Sequence, residues 1–240
     1  AAGFRVIAPD MRGYNLSEKP KAVAAYRPHE LVTDVAELIR HAGEPRATVV
    51  GHDWGGGVAW SVALRRPEVV EKLIVLNCPH PVRFAQELRT PGQLARSWYM
   101  FFFQLPRLPE ALIRAENYAA LRRVLRSDPV RPGAFTEEDI RAYRDALDQP
   151  GALTGAINYY RASIRAGPKE ALRYQNRIEA PTLLIWGEQD RYLGVRLTQD
   201  LDRWISRLRI ERIPEASHWV QADAPERVNR LMIEFLSARD

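Results

Sequence analysis

The strongest constraint on how this chain of 240 residues can fold lies where Thr48-Val49-Val50 runs into Gly51-His52-Asp53-Trp54-Gly55-Gly56-Gly57 and on into helical sequence. A short apolar strand that turns directly into a helix through glycines permits few architectures. It puts the apex residue, Asp53, at the carboxyl end of a strand buried between helices, where open parallel sheets carry their ligands. Glycine is needed because the helix begins at once and packs close to the strand it has just left. The first backbone N–H of that helix, on Trp54, is free to donate to developing negative charge. An Asp in this position can also be a plain helix cap, but a cap does not call for three following glycines.

The flanking sequence agrees with a parallel sheet. Residues 4–8 are a short apolar run ending at Pro9-Asp10 and read as a buried strand. Pro28–His41 carries Leu31, Val35, Leu38 and Ile39 on one helical face and stops at Gly43. Residues 47–50 are a second strand, 53–66 a helix halted by Pro67, and 72–76 a third strand. Apolar strands alternating with helices predict an α/β fold whose mostly parallel sheet is covered on both faces. After Pro81 the pattern changes, and 84–171 holds helical segments and proline-marked loops without a strand. Residues 182–186 and Leu208–Ile213 restore the strands, with a helix expected at 198–205, and 225–236 supplies a last amphipathic helix. The expected organisation is 1–81, first part of the α/β core; 82–175, an inserted all-helical cap; and 176–240, second part of the core.

Composition narrows the function classes. Thirty-five basic against 30 acidic residues give +5 and a pI near 9.5, so a nucleic-acid surface has to be weighed. The densest basic stretch, Arg122, Arg123, Arg126 and Arg131, is broken by Asp128 and Pro129 and has no interleaved aromatics. It reads as a solvated surface, and no nucleic-acid partner is expected. Mean hydropathy is -0.35, and the aromatic run 98–103 falls far short of the roughly 20 residues a membrane span needs; no stable membrane insertion is expected. The single cysteine, Cys78, allows no internal disulfide and no secretory leader opens the chain, which together fit a cytoplasmic protein. Cys78 and His80 could make a thiol nucleophile, but at a strand end a small buried cysteine is the better reading. Clustered metal ligands, a phosphate-cradling loop and a nucleotide fingerprint are all missing, so neither metal nor cofactor is expected.

A carboxylate at the apex attacks a saturated carbon that carries a strained or leaving group, and leaves an ester on the protein. A base must then activate the water that cleaves the ester, with an acid to orient it, and both should follow in chain order. Strand 182–186 ends in Gly187-Glu188-Gln189-Asp190, and Leu208–Ile213 ends in Pro214-Glu215-Ala216-Ser217-His218. Each puts a polar side chain on the same rim as Asp53. His29, His41, His52 and His80 do not sit just past a late strand. The order Asp53, Asp190, His218 is therefore nucleophile, acid, base, with Glu188 the alternative acid.

Four segments, Pro9-Asp10-Met11-Arg12-Gly13-Tyr14, Gly51-His52-Asp53-Trp54-Gly55-Gly56, Gly187-Glu188-Gln189-Asp190 and Ala216-Ser217-His218-Trp219, together resemble the epoxide hydrolases of the α/β-hydrolase superfamily. The resemblance runs essentially from end to end. It implies the α/β-hydrolase fold with a helical cap inserted near Pro81. It also implies that Ser97-Trp98-Tyr99 and Asn158-Tyr159-Tyr160-Arg161 bring two tyrosine hydroxyls, of Tyr99 and Tyr160, onto the epoxide oxygen. A phenol with a pKa of about 10 stays protonated at neutral pH and can donate to a far more basic alkoxide. Taken alone, Tyr99 among Trp98, Phe101, Phe102 and Phe103 reads as core packing, and Tyr159 competes with Tyr160. The implied activity opens a small hydrophobic epoxide to a vicinal diol through an aspartyl ester, which His-activated water hydrolyses, in a monomer or homodimer. Haloalkane dehalogenases are similar at the same elbow, where the Trp54 indole would hold a halide, and stand as the alternative. Fluoroacetate dehalogenases carry Arg at that position.

The resemblance further implies several strands ahead of Phe4, one of them lying between those matching 4–8 and 47–50. It also implies a His-Gly-x-Pro loop with a second oxyanion donor, and no His-Gly-x-Pro occurs in the sequence. On this reading the first strands of the family fold are absent from the chain. An inactive hydrolase fragment or ligand-binding module is then the alternative to an enzyme.

Overall fold

Apolar residues at helical spacing, behind a proline that pre-sets the first helical φ, fold as α1 (Pro28–His41) in the computed structural model, which describes residues 2–167 and 176–238. Its buried stripe of Leu31, Val32, Ala36 and Ile39 packs towards α2 (Trp54–Arg65). Four strands, β1 (Ala47–His52), β2 (Val70–Leu76), β3 (Thr182–Gly187) and β4 (Leu208–Ile213), form a parallel sheet in the order β1-β2-β3-β4. The central pair, β2 and β3, is buried at nearly every position, which is why both read as unbroken apolar runs. Alternate residues serve opposite faces. Leu73, Val75, Leu184 and Trp186 pack with Trp60 and Val62 of α2. Ile74, Leu76, Leu183 and Ile185 pack with Val228 and Leu231 of α9 (Pro225–Ser237).

Between β2 and β3 the described chain holds helices and no strand: α3 (Pro81–Glu87), α4 (Pro91–Arg96), α5 (Trp98–Phe102), α6 (Leu108–Ser127), α7 (Glu137–Asp148) and α8 (Ala152–Ala166). α7 opens on a reciprocal capping box between Thr136 and Asp139. Residues 168–175, the end of the segment expected to be helical, lie outside the described residues. None of the described helices is long and apolar enough to cross a membrane.

Two local expectations fail. Residues 4–8 are not a strand: Phe4, Val6 and Ile7 are 45%, 80% and 48% exposed, and the stretch pairs with no strand among the described residues. Extended backbone becomes sheet only when a neighbour satisfies its N–H and C=O groups, and apolar side chains do not supply one. The outer edge of β1 is likewise unpaired among the described residues. The helix expected at 198–205 is replaced by two 3-10 turns, Val195–Thr198 and Leu201–Arg203, parted by Asp200 in a left-handed conformation (φ 57°). Leu197, Leu201 and Ile205 are nevertheless buried. Their spacing reports the burial correctly, while a tighter backbone delivers it.

Candidate active site

The carboxyl ends of β1, β2, β3 and β4 meet on one rim, and each contributes a polar residue there. β1 leads into Asp53, whose backbone (φ 49°, ψ -120°) is in a region costly for a residue with a side chain. The turn closes only with glycine at position 51, where a Cβ would stand 2.1 Å from the Gly55 carbonyl oxygen. Asp53 lies in a pocket of about 200 Å³ walled mainly by apolar and aromatic groups, including Trp54, Phe84, Tyr99, Met100 and Tyr160. Its side chain is 46% exposed and lines this pocket.

Asp190, past β3, and His218, past β4, come together beside it. His218 Nδ1 is 2.7 Å from Asp190 Oδ2, and His218 Nε2 faces Asp53 Oδ2 at 3.9 Å. The contact between these loops depends on Gly187, since a Cβ there would fall 2.0 Å from the Ser217 carbonyl oxygen. Asp190 accepts at Oδ1 from the N–H groups of Tyr192 and Leu193, both at 2.8 Å, and at Oδ2 from Asn77 Nδ2 at 2.9 Å. Glu188, the alternative acid, points to solvent.

α5 and α8 hold Tyr99 and Tyr160 over the same pocket, their rings 5.7 Å apart at 79°. Tyr160 stands edge-on to Trp54 at 4.9 Å and 89°. The hydroxyl of neighbouring Tyr159 is turned away and donates to the Arg12 carbonyl at 2.7 Å. Burial and then the Asp53 charge push both Tyr99 and Tyr160 well above the ordinary phenol range, so each keeps its proton.

Burial opposes charge on His218, but the hydrogen bond to Asp190 and the facing Asp53 outweigh it and raise the imidazole from 6.5 to about 10. For Asp53, burial again works against ionisation, and His218 overcomes it, leaving the carboxyl below its usual value. The site at rest is thus an imidazolium between two carboxylates. His52 behaves oppositely: burial, then the nearby His218 charge, lowers it to about 4. Neutral at ordinary pH, its Nε2 lies 2.8 Å from the His218 carbonyl, which can only accept, so that nitrogen carries the proton.

Three residues of the site have no local sequence signal beyond their position. His52 and Asn77 are polar residues at the ends of parallel strands, and Asn77 bridges Asp190 to both backbone groups of Gly187, at 2.8 and 3.2 Å. Tyr192 packs edge-on against His218 at 5.6 Å. Cys78 is buried with its thiol raised well above the usual range by that burial. His80 stacks on Trp204 at 5.2 Å and lines no part of the pocket, so these two do not form a nucleophile pair. Among the described residues no group of three or more His, Cys, Asp or Glu is placed to hold a metal ion.

Comparison with known proteins bears on the fold and the family. Residues 1–225 match the family of the alpha/beta hydrolase fold. The chain is 42% identical to the AB hydrolase superfamily protein YfhM of Bacillus subtilis, across 98% of this chain and 81% of that protein. It is 37% identical to epoxide hydrolase 4 of Mus musculus, across 97% of this chain but 66% of the mouse protein. The crystal structure of the Bacillus megaterium epoxide hydrolase in complex with an inhibitor superposes with a TM-score of 0.87 at 34% identity, covering 95% of this chain and 82% of that one.

Proposed function

The chain belongs to the α/β-hydrolase family and, within it, to the epoxide hydrolases, and on that premise we propose that it opens a small apolar epoxide to a vicinal diol in two covalent steps. The observation that carries this reading is Asp53 at the floor of an apolar pocket, 3.9 Å from His218, under the rings of Tyr99 and Tyr160. A pocket of about 200 Å³ suits a small substrate. The helices between β2 and β3 serve as the cap that supplies the roof, and the sheet with its flanking helices as the core.

In the first step an Asp53 carboxylate oxygen attacks an epoxide carbon. The ring C–O bond breaks, its electron pair stays on the epoxide oxygen, and Tyr99 or Tyr160 donates the proton that oxygen needs. The product is a hydroxyalkyl ester of Asp53. Esterification removes the charge facing His218, and with it one of the two carboxylates that raise the imidazole. The imidazolium passes its proton to the tyrosinate left by the first step, so His218 becomes a competent base only once the ester exists. It then takes a proton from water, whose oxygen adds to the ester carbonyl; the oxyanion meets the Trp54 N–H at the start of α2. Collapse expels the diol alkoxide, which takes a proton from the acid so formed, regenerating the Asp53 carboxylate. His218 keeps the proton it took from water, which restores the resting imidazolium.

One turnover in oxygen-18 water tests the scheme. The label should enter the Asp53 peptide and not the diol, and Asp53→Asn should abolish turnover. A labelled diol with an unlabelled Asp53 peptide would establish direct attack by water instead.

A further inference from the structure

The loop that carries Asp190 belongs to the sheet side of the molecule, yet side chains of the helical block fasten it. Gln93 of α4, only 5% exposed, uses both ends of its amide. Nε2 donates to the Tyr192 carbonyl at 2.7 Å, and Oε1 accepts from the Gly194 N–H at 3.1 Å. The second Nε2 proton goes to the Ser97 hydroxyl at 3.0 Å, so every polar position facing the loop is satisfied. Arg96, on the same helix, donates to the Asp190 and Arg191 carbonyls at 2.9 and 3.2 Å. Asp128, just past α6, accepts from the Tyr192 hydroxyl and pairs with Arg191 at 3.2 Å.

These contacts lead straight to the base. The N–H groups of Tyr192 and Leu193, flanked by the Gln93 amide, are the ones that hold Asp190 Oδ1, while Asp190 Oδ2 holds His218. A buried amide is costly unless it is fully paired, and one placed across three consecutive loop residues restrains all three. Gln93 does not line the pocket and touches no reacting group.

We infer that Gln93, with Asp128 holding the same loop through the Tyr192 hydroxyl and Arg191, is a positioning residue that sets Asp190 against His218 and thereby serves hydrolysis of the ester, not its formation. The inference rests on the two-step reading above. Attack by Asp53 and proton donation by Tyr99 or Tyr160 do not pass through Asp190, whereas the activation of water by His218 does. A small misplacement of a catalytic pair is enough to cost about a hundredfold.

The test is a single-turnover experiment with styrene oxide, following the ester by intact-protein mass and the diol by chemical quench. Gln93→Met keeps the volume and removes both loop hydrogen bonds. Ester formation should stay within about twofold of the unmodified protein, hydrolysis should slow about tenfold to a hundredfold, and the ester should accumulate. The pH profile of hydrolysis should shift to lower pH, because a loosened Asp190 raises the imidazole less. Asp128→Asn should slow the same step by a smaller factor, and it carries the test alone if Gln93→Met does not fold. Equal slowing of both steps, or unchanged hydrolysis with an unchanged pH profile, overturns the inference. His218→Gln separates the two readings: if it accumulates no ester, the two-step scheme fails; if it does and Gln93→Met does not, only the role of Gln93 fails.

Discussion

The floor and the roof of the pocket are held by different forces. On the floor, Asp190 has four donors, from Asn77, Tyr192, Leu193 and His218, and the His218 carbonyl is itself held by His52. On the roof, Tyr99 and Tyr160 are placed by ring contacts, with Phe103 at 5.9 and 4.8 Å and Trp54 at 4.9 Å from Tyr160. Hydrogen bonds are steep in distance and angle, whereas edge-to-face ring pairs tolerate shifts at little cost. The floor must present charge at set points before the reaction begins, while the roof can follow the shape of what enters. The same contrast separates two buried histidines. His218, between carboxylates, rises to about 10. His80, between Trp60 and Trp204, falls to about 3 through burial alone.

The largest effect should come from the floor. Asp190→Asn keeps the shape but leaves His218 in the wrong tautomer, and turnover should fall about 10⁴-fold; steady-state kinetics with near-normal rates would break the contrast. Tyr99→Phe with Tyr160→Phe removes both roof donors and should cost about 10²- to 10³-fold, and either single change less, since one donor remains. Equal losses in the single and double variants would mean that one tyrosine does all the work. Stability should divide the regions more gently. Asn77→Ala takes the acceptor from the buried Gly187 N–H and one donor from Asp190, at about 1–3 kcal/mol in urea unfolding. Tyr160→Phe should change stability by about 0.5 kcal/mol or less.

The pH dependence of stability should separate the two histidines. His218 holds a proton in the folded state that it loses near 6.5 when unfolded, so its contribution is complete below that pH and fades as pH rises towards about 10. His80 is neutral when folded but takes up a proton near 6.5 when unfolded, so its contribution fades as pH falls from 6.5 towards about 3. Each limb has a slope of at most about 1.4 kcal/mol per pH unit. His218→Gln should flatten the alkaline limb and His80→Phe the acid one. Denaturation midpoints across pH that move together in both variants would show that the two environments do not differ in this way.

What could be read in the sequence is what local physics writes there. Central strands covered on both faces must be apolar throughout, so β2 and β3 are legible. The bounds of α1 follow from a proline, an apolar stripe and a glycine stop. The elbow is legible because no residue with a Cβ fits at Gly51. Once the strands are in order, Asp190 and His218 follow as the polar residues just past the late ones. Residues 4–8 misled because apolar content reports a wish for burial and not the presence of a pairing partner.

The remainder depends on encounters that leave no periodic trace. Asn77 meets Asp190 across 113 residues, and Gln93 meets Tyr192 across 99. Tyr159 and Tyr160 are adjacent in sequence and point about 100° apart around α8; only the packing of that helix sends one hydroxyl to the Arg12 carbonyl and the other ring over Asp53. By itself the sequence determined the strand, the turn and the order of the three polar groups, because backbone sterics and apolar periodicity act between near neighbours. The charge state of His218 and the fastening of its acid were decided by tertiary structure alone, since both depend on which distant groups share one small, water-poor space.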